Sequence, residues 1–210
     1  MEKESAKLLL REYITTNSLI NHSHMVAIAM QAYAQKQNKD EKSIHDWWLC
    51  GLLHDIDWEA YPDQHPNYAV EHILPKIEVT DEIKHAILAH APERTGILAE
   101  SEMDCYLFAA ILAHAPERTG IIAESEMDCY LFACDELSGF IHAVSLLRPT
   151  GYEGMKVKSV TKKLKTPNFA ANVSRDDIYK GVELIGTTLA DHILFLIDVF
   201  QKAKEKHLIE

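Results

Sequence analysis

The stretch WWLCGLLHD, residues 47–55, decides how the rest of the chain is interpreted. It runs from Trp47 to Leu53 without a charged residue and ends in the pair His54-Asp55. An apolar run of this kind is typical of a buried helix, which would bring an imidazole and a carboxylate side by side at its end. Both groups are good ligands for transition-metal ions, and a buried carboxylate otherwise needs a cation to offset its desolvation. A His-Asp pair alone also fits a simple hydrogen bond at a helix end.

Outward from this stretch, apolar residues recur with helical spacing almost throughout, and no alternating stretch of convincing length indicates a β-strand. The sequence therefore predicts an all-α protein. The predicted helices cover residues 3–16, 18–37, 43–54, 66–76, 80–90, 101–114, 125–147, 158–165 and 175–203. Ser18, Ser43 and Ser174 are predicted N-caps, and the segment RPTG at 148–151 is the clearest stop signal.

Composition indicates a folded protein that does not bind nucleic acid. The chain has 210 residues, of which 47% are hydrophobic, which predicts a single domain with a substantial core. Its net charge of −11 argues against broad nucleic-acid binding, although a small phosphorylated substrate needs only a local group of cations. No apolar run approaches the length of a membrane span, and residues 1–11 are too charged for a signal peptide. We therefore expect a cytoplasmic protein without a membrane partner.

The middle of the chain carries a tandem duplication. Residues 86–109 and 110–133 are copies of the same 24 residues and differ only where Leu98 is matched by Ile122. Two nearly identical copies in an otherwise non-repetitive chain indicate an insertion and not a solenoid. We expect the extra segment to be extruded as a hairpin, to displace its twin, or to be exchanged with a second subunit, which would produce a homodimer.

Two further ligand-type side chains fall on inward faces of predicted helices. His22 lies on a helix whose inward face continues through Val26 and Ala29. Asp135 interrupts the apolar stretch 130–134, where an unpaired carboxylate would be costly. With the pair at 54–55, the chain presents the order H…HD…D.

The phrases around these residues resemble a known superfamily. HSHMVA (22–27), GLLHDIDWE (51–59) and FACDELSGF (132–140) are similar to the HD superfamily of metal-dependent phosphohydrolases, over roughly residues 18–147. The later segment 144–178 resembles a bacterial and archaeal subgroup known mainly as predicted HD-domain hydrolases. The resemblance implies an all-α HD-domain helical bundle that carries the duplicated helix-loop segment as an insertion. Residues 150–210 would form a C-terminal helical extension packed on that core.

The resemblance also implies a ligand set. The first metal ion would be bound by His22, His54, Asp55 and Asp135. Members with two ions suggest two more ligands, His65 and the histidine of the repeated AILAHAP. That histidine is His90, which keeps its original upstream helix, or His114, which keeps its original spacing to Asp135; the intact upstream helix favours His90. The implied cofactor is a divalent transition metal (Mn, Fe, Ni, Co or Zn) or Mg, as one or two ions.

By the same resemblance, the expected reaction is hydrolysis of a phosphate ester, of a nucleotide or another small metabolite, by a metal-activated water. The candidate catalytic residues are Asp55 itself and, just past it, Asp57 and Glu59, which would orient the water or act as general acid or base. For the latter two, a loop carboxylate in solvent is an equally good interpretation. Candidate substrate-binding residues near a predicted helix start are Arg148, Lys156 and Lys158.

Two other functions stay open from the sequence. A di-iron oxygenase can use the same fold and ligand set, and redox-active iron with oxygen consumption would identify it. A metal- or nucleotide-binding regulatory module, or a folded protein whose catalysis has been lost to the duplicated insertion, would bind its ligand tightly without turnover.

Overall fold

The structure is a computed structural model that describes residues 1–91, 123 and 125–209. The described residues form helices and loops and contain no β-strand, which confirms the predicted all-α class. Within this part of the chain, no helix is both long enough and apolar enough to cross a membrane. The α-helices are α1 (Lys3–Tyr13), α2 (Asn17–Lys36), α3 (Glu41–Leu53), α4 (Asp81–Ala89), α5 (Glu126–Leu146), α6 (Val157–Leu164), α7 (Arg175–Leu184) and α8 (Leu189–Glu205).

The centre of the fold is the contact between α2 and α3. Gly51 lies against α2 so closely that a Cβ atom there would be 2.8 Å from the Cα of Ala27. Because glycine has no Cβ, the two helix backbones can approach to this distance. The apolar residues that follow it, Leu52 and Leu53, are fully buried. The close approach brings the carboxyl end of α3 alongside the middle of α2.

Helix α5 begins at a capping box and is tied to α4. The Ser125 side chain accepts a hydrogen bond from the backbone N of Asp128, and the Asp128 carboxylate accepts one from the backbone N of Ser125. The same buried carboxylate lies 2.8 Å from Nδ1 of His85 on α4. These contacts hold the amino end of α5 against α4, and the inward face of α5 then runs through Leu137 and Phe140 into the core.

The C-terminal helices α6 to α8 pack on this core. Val160, Ile178, Leu196 and Phe200 belong to the same buried cluster as the residues of α2 and α3. The single helix predicted over 175–203 was wrong, because Gly186 adopts a positive φ of 60° and separates α7 from α8. A positive φ is accessible to glycine at little cost and does not continue a right-handed helix.

Other local predictions also differ from the structure. The helix predicted over 66–76 is a π-helical turn at Ala69–Ile73 followed by a 3-10 turn at Leu74–Lys76. The N-caps of α2 and α3 are Thr16 and Asp40, not Ser18 and Ser43. In α3, the Asp40 carboxylate accepts from the backbone N of Ser43, so the serine lies three residues inside the helix. Ser174 is the N-cap of α7, as predicted. The helix predicted over 101–114 lies outside the described residues.

A neutral histidine links α8 to α2 and α5. His192 is 1% exposed, with Nδ1 at 2.6 Å from the Tyr33 hydroxyl and Nε2 at 2.9 Å from the carbonyl O of Ala133. A carbonyl only accepts, so Nε2 donates to it and Nδ1 accepts from the tyrosine. Burial lowers the pKa of His192 to about 4, with a smaller contribution from the positive charge of Lys36.

We expect the free energy of unfolding to decrease as the pH falls from 6.5 to about 4. In this pH range the imidazole is protonated in the unfolded chain, where its pKa is 6.5, but stays neutral in the folded protein, so protonation favours the unfolded state. The contribution of this residue is about 3 kcal/mol. His192→Gln should therefore show a shallower loss of stability over this range in urea denaturation. Equal pH dependence in the two proteins would contradict the assignment.

Removal of one repeat should leave the fold intact. Deletion of residues 92–115 joins Ala91 to Pro116 and shortens the connection to Ala123 from 31 residues to 7. On loop-closure entropy alone, the deletion should raise the free energy of unfolding by about 1 kcal/mol. Chemical denaturation and circular dichroism would measure this, and a clear loss of stability would show that the second copy contributes packing of its own.

Candidate metal centre

Four ligand-type side chains from three segments meet at one point. His22 comes from the first half of α2, His54 and Asp55 follow the last residue of α3, and Asp135 lies in the middle of α5; their ligand atoms all lie within 4.8 Å of one another. Nε2 of His22 is 2.9 Å from Oδ1 of Asp135 and 3.7 Å from Oδ2 of Asp55. Nε2 of His54 is 3.3 Å from Oδ2 of Asp55 and 3.4 Å from Oδ1 of Asp135. We call this group the first ion site.

A second group shares Asp55 with the first. Nε2 of His65 and Nε2 of His90 lie 3.4 Å and 3.3 Å from Oδ1 of Asp55. The ligand atoms of these three residues also lie within 4.8 Å of one another. We call this group the second ion site. Asp55 therefore directs Oδ2 to the first site and Oδ1 to the second, and could bridge two ions.

In three of the imidazoles, a hydrogen-bond acceptor next to Nδ1 determines which ring nitrogen carries the proton. Nδ1 of His54 is 2.9 Å from the carbonyl O of Gly51, and Nδ1 of His90 is 2.5 Å from the carbonyl O of Ile87. Nδ1 of His65 is 2.7 Å from Oδ1 of Asp57. Because these oxygens accept, each Nδ1 carries a hydrogen, and in the neutral ring Nε2 presents a lone pair.

Those lone pairs face carboxylate oxygens, which is unfavourable unless a cation lies between them. Nε2 of His54 is buried and has no hydrogen-bond partner. A divalent metal ion would satisfy this nitrogen and the carboxylates together, and Nδ1 donation to a carbonyl or carboxylate is the usual support for a metal-binding histidine. The residues present therefore fit a metal ion.

The pKa shifts of His54, Asp55 and Asp135 show the same need for positive charge beside the carboxylates. Burial opposes charge on His54, but the carboxylates of Asp55 and Asp135 outweigh it and raise the pKa of this imidazole well above its usual value. Burial likewise opposes charge on Asp55 and Asp135, but the neighbouring imidazoles hold the pKa of both carboxyl groups well below the usual range. A proton on the imidazoles and a metal ion are thus alternative ways to balance the carboxylates, so metal affinity should fall with decreasing pH.

Two predicted catalytic residues do not line the cleft beside the metal ligands. Asp57 is fully buried and accepts hydrogen bonds from His65 and from the backbone N of Ala69. Glu59 accepts hydrogen bonds from the backbone N atoms of Thr15 and Thr16 and from the Thr15 hydroxyl. Glu59 therefore anchors the junction between α1 and α2, and Asp57 supports His65, a candidate ligand. A role for either as the acid or base that contacts substrate does not fit these positions.

The three predicted phosphate-binding residues also lie away from this cleft. Arg148 donates to the carbonyl O atoms of Gly151 and Glu153 and stabilises the turn after α5. Lys156 is the N-cap residue of α6, and Lys158 lies in its first turn. None of the three lines the cleft beside the two ion sites. His114 lies outside the described residues.

The cleft has a volume of about 430 Å³ and includes residues that the sequence analysis missed. These are Leu19, Trp58, Ala91, Phe132, Glu136, Gly139, Asn172, Val173 and Asp177. Burial, and then the carboxylates of Asp135 and Asp177, raise the pKa of Glu136 to about 8, and its Oε2 accepts from the backbone N of Ser174. Among the described lining residues there is no lysine or arginine. The position of Glu136 directly after Asp135 was a usable signal, whereas Asn172 and Asp177 reach the cleft only through the tertiary packing of α7.

Comparisons with known proteins do not place the chain in a family. No family model, no curated protein and no solved structure matches it.

The shared carboxylate predicts different effects of two conservative variants. Asp55→Asn should weaken the binding of both ions, because it removes the negative charge between the two sites. Asp135→Asn should weaken the binding of the first ion only. Each loss should exceed the 10- to 100-fold typical of residues that only support a ligand. Titration calorimetry with Mn²⁺ or Zn²⁺ on metal-stripped protein would measure both, with Asp177→Asn as a cleft-lining control that keeps both ions. Retention of two tight ions by Asp55→Asn would contradict the bridging role.

Proposed function

We propose that the protein is a metal-dependent hydrolase of phosphate esters, acting on a nucleotide or another small phosphorylated metabolite. The observation that carries the proposal is the position of Asp55, whose two carboxylate oxygens face two adjacent groups of histidine ligands at a cleft of small-molecule size. The order of ligands along the chain also resembles that of the HD superfamily. Together these features support a hydrolytic centre of one or two ions.

The charge of the cleft supports a role for metal in binding the phosphate. Its described lining includes the carboxylates of Asp55, Asp135 and Asp177 and no lysine or arginine side chain. A phosphate would be repelled from such a surface unless bound cations reverse its local charge. A divalent metal, when bound, supplies Lewis acidity that lowers the pKa of a water toward neutrality and withdraws charge from phosphoryl oxygens.

The protein's own side chains would orient the substrate. Leu19, Trp58 and Phe132 supply apolar surface for the organic part of a phosphate ester. Glu136, whose Oε2 accepts from the backbone N of Ser174, is protonated below its pKa of about 8 and can donate a hydrogen bond to substrate or water in the cleft. His54, His65 and His90 are nearly or fully buried at the side chain, which keeps their ring positions fixed during turnover.

The acidic cleft and net charge of −11 do not favour a nucleic-acid partner, and we propose a cytoplasmic small-molecule enzyme.

A di-iron oxygenase is the second candidate, and the bridging position of Asp55 is the observation that favours it. A carboxylate between two ions serves iron as well as hydrolytic metals. Iron bound in preference to other metals, with oxygen consumption and a redox-sensitive spectrum, would select this alternative.

Phosphate release from metal-reconstituted protein tests the proposal. We expect turnover of at least one compound in a panel of nucleotides, sugar phosphates and aryl phosphates with Mn²⁺, Fe²⁺, Co²⁺, Ni²⁺, Zn²⁺ or Mg²⁺. Asp55→Asn should lower kcat/KM by more than about 100-fold, since Lewis-acid stabilisation contributes several kcal/mol. Asp198→Asn, which changes an exposed carboxylate paired with Lys202 on α8, is the matched control and should stay near wild type. Tight metal binding without phosphate release from any compound would argue for the oxygenase or for a regulatory module.

A further inference from the structure

Asp57 makes an unusually complete set of contacts for a residue outside the ligand groups. It has no exposed surface, and each carboxylate oxygen has one partner. Oδ2 accepts from the backbone N of Ala69 at 2.8 Å, and Oδ1 lies 2.7 Å from Nδ1 of His65. The His65 side chain is 2% exposed, and its Nε2 points to Oδ1 of Asp55 at 3.4 Å.

These contacts determine which nitrogen of His65 carries the proton. A backbone N–H can only donate, so it occupies one oxygen of Asp57 as an acceptor. The other oxygen is also an acceptor, so Nδ1 of His65 must donate to it, and Nε2 keeps its lone pair toward the second ion site. The carboxylate thereby turns His65 into the tautomer that can bind a metal through Nε2.

His65 differs in this respect from His54 and His90. The Nδ1 atoms of those two histidines are bound by the backbone carbonyls of Gly51 and Ile87, three residues earlier in each case. The Nδ1 atom of His65 is instead bound by a side chain, the negatively charged carboxylate of Asp57. Among the described residues, the second ion site includes one carboxylate, that of Asp55, which it shares with the first site, whereas the first site includes two. Its affinity for an ion should therefore depend more strongly on the support that each histidine receives.

We propose that Asp57 is a positioning residue that sets the tautomer of His65 and thereby controls occupancy of the second ion site. This inference rests on the metal centre of the proposed function, not on its hydrolytic chemistry. It predicts that the second ion binds more weakly whenever Asp57 cannot accept from both His65 and Ala69.

Replacement by asparagine provides a sharp test because it keeps the shape of the side chain. The amide oxygen of Asp57→Asn must accept from the backbone N of Ala69, which leaves its NH₂ group facing His65. Nδ1 of His65 would then have to accept, and the ring proton would move to Nε2. The variant can satisfy every hydrogen bond and still lose the nitrogen lone pair needed by the metal.

The tautomer can be measured directly in metal-free protein. Long-range ¹H–¹⁵N correlation spectra of the histidine rings, recorded at alkaline pH, distinguish Nδ1–H from Nε2–H. We expect His65 to be Nδ1–H in the wild type and Nε2–H in Asp57→Asn. A wild-type His65 with its proton on Nε2, or an unchanged Nδ1–H tautomer in the variant, would overturn the proposal.

Metal titration then tests the consequence. We expect Asp57→Asn to bind the first Mn²⁺ ion as the wild type does and the second at least about 10-fold more weakly. Glu59→Gln is the matched control, since Glu59 also lies just past the pair at 54–55 and accepts from backbone N–H groups, but at the junction between α1 and α2. Glu59→Gln should keep both ions, and a second-ion affinity within threefold of wild type in Asp57→Asn would overturn the proposal.

These results are independent of turnover. Loss of the second ion in Asp57→Asn, together with a wild type that hydrolyses no phosphate ester, would support the role of Asp57 and reject the hydrolase. Hydrolysis by the wild type with unchanged second-ion binding in Asp57→Asn would support the hydrolase and reject the role of Asp57.

Discussion

The largely buried carboxylate of Asp55, whose side chain is 17% exposed, imposes the central constraint on this structure. Four imidazole nitrogens approach its two oxygens within 3.7 Å, from α2, from the end of α3, from the loop after it and from the end of α4. Taking a carboxylate out of water is costly unless positive charge accompanies it. The close packing of α2 on α3 at Gly51, which builds the core, also brings His22 to the pair at 54–55. Core packing and the electrostatics of the site are therefore satisfied by the same contact.

The two helix ends at this site use one local arrangement twice. His54 and His90 are the C-cap residues of α3 and α4, and each donates from Nδ1 to a carbonyl three residues earlier. The last carbonyls of a helix lack intrahelical partners, so a histidine at this position satisfies one of them and has its ring oriented in return. The free nitrogen then points away from the helix end, toward Asp55. The helix terminus thus orients the imidazole ring of a candidate ligand, and the contact involves no further side chain.

The sequence predicted the helical class and pointed to histidines and aspartates that the structure brings together, because both depend on patterns that are local. Apolar spacing predicted most helices, and costly polar residues inside apolar stretches pointed to His54, Asp55 and Asp135. The roles of Asp57 and Glu59 could not be read in this way. Both follow the HD pair on a loop, and only the tertiary structure shows that one carboxylate turns inward to His65 while the other caps the start of α2. The break at Gly186 escaped prediction for a similar reason, since apolar spacing continues through residues on both sides of it.

The position of the repeats relative to the ligands explains how a duplication and a metal centre can coexist. His90 lies in the first copy, but α4 begins in unique sequence, where Thr80 caps the helix and His85 contacts Asp128. Asp135 follows the second copy, on a helix whose capping box at Ser125 and Asp128 belongs to that copy. The two ligands are thus oriented by segments at the outer edges of the duplicated region, and the extra 24 residues fall between them in the chain. The contacts between α4 and α5 that the structure describes, among them the one between His85 and Asp128, involve residues on either side of this segment.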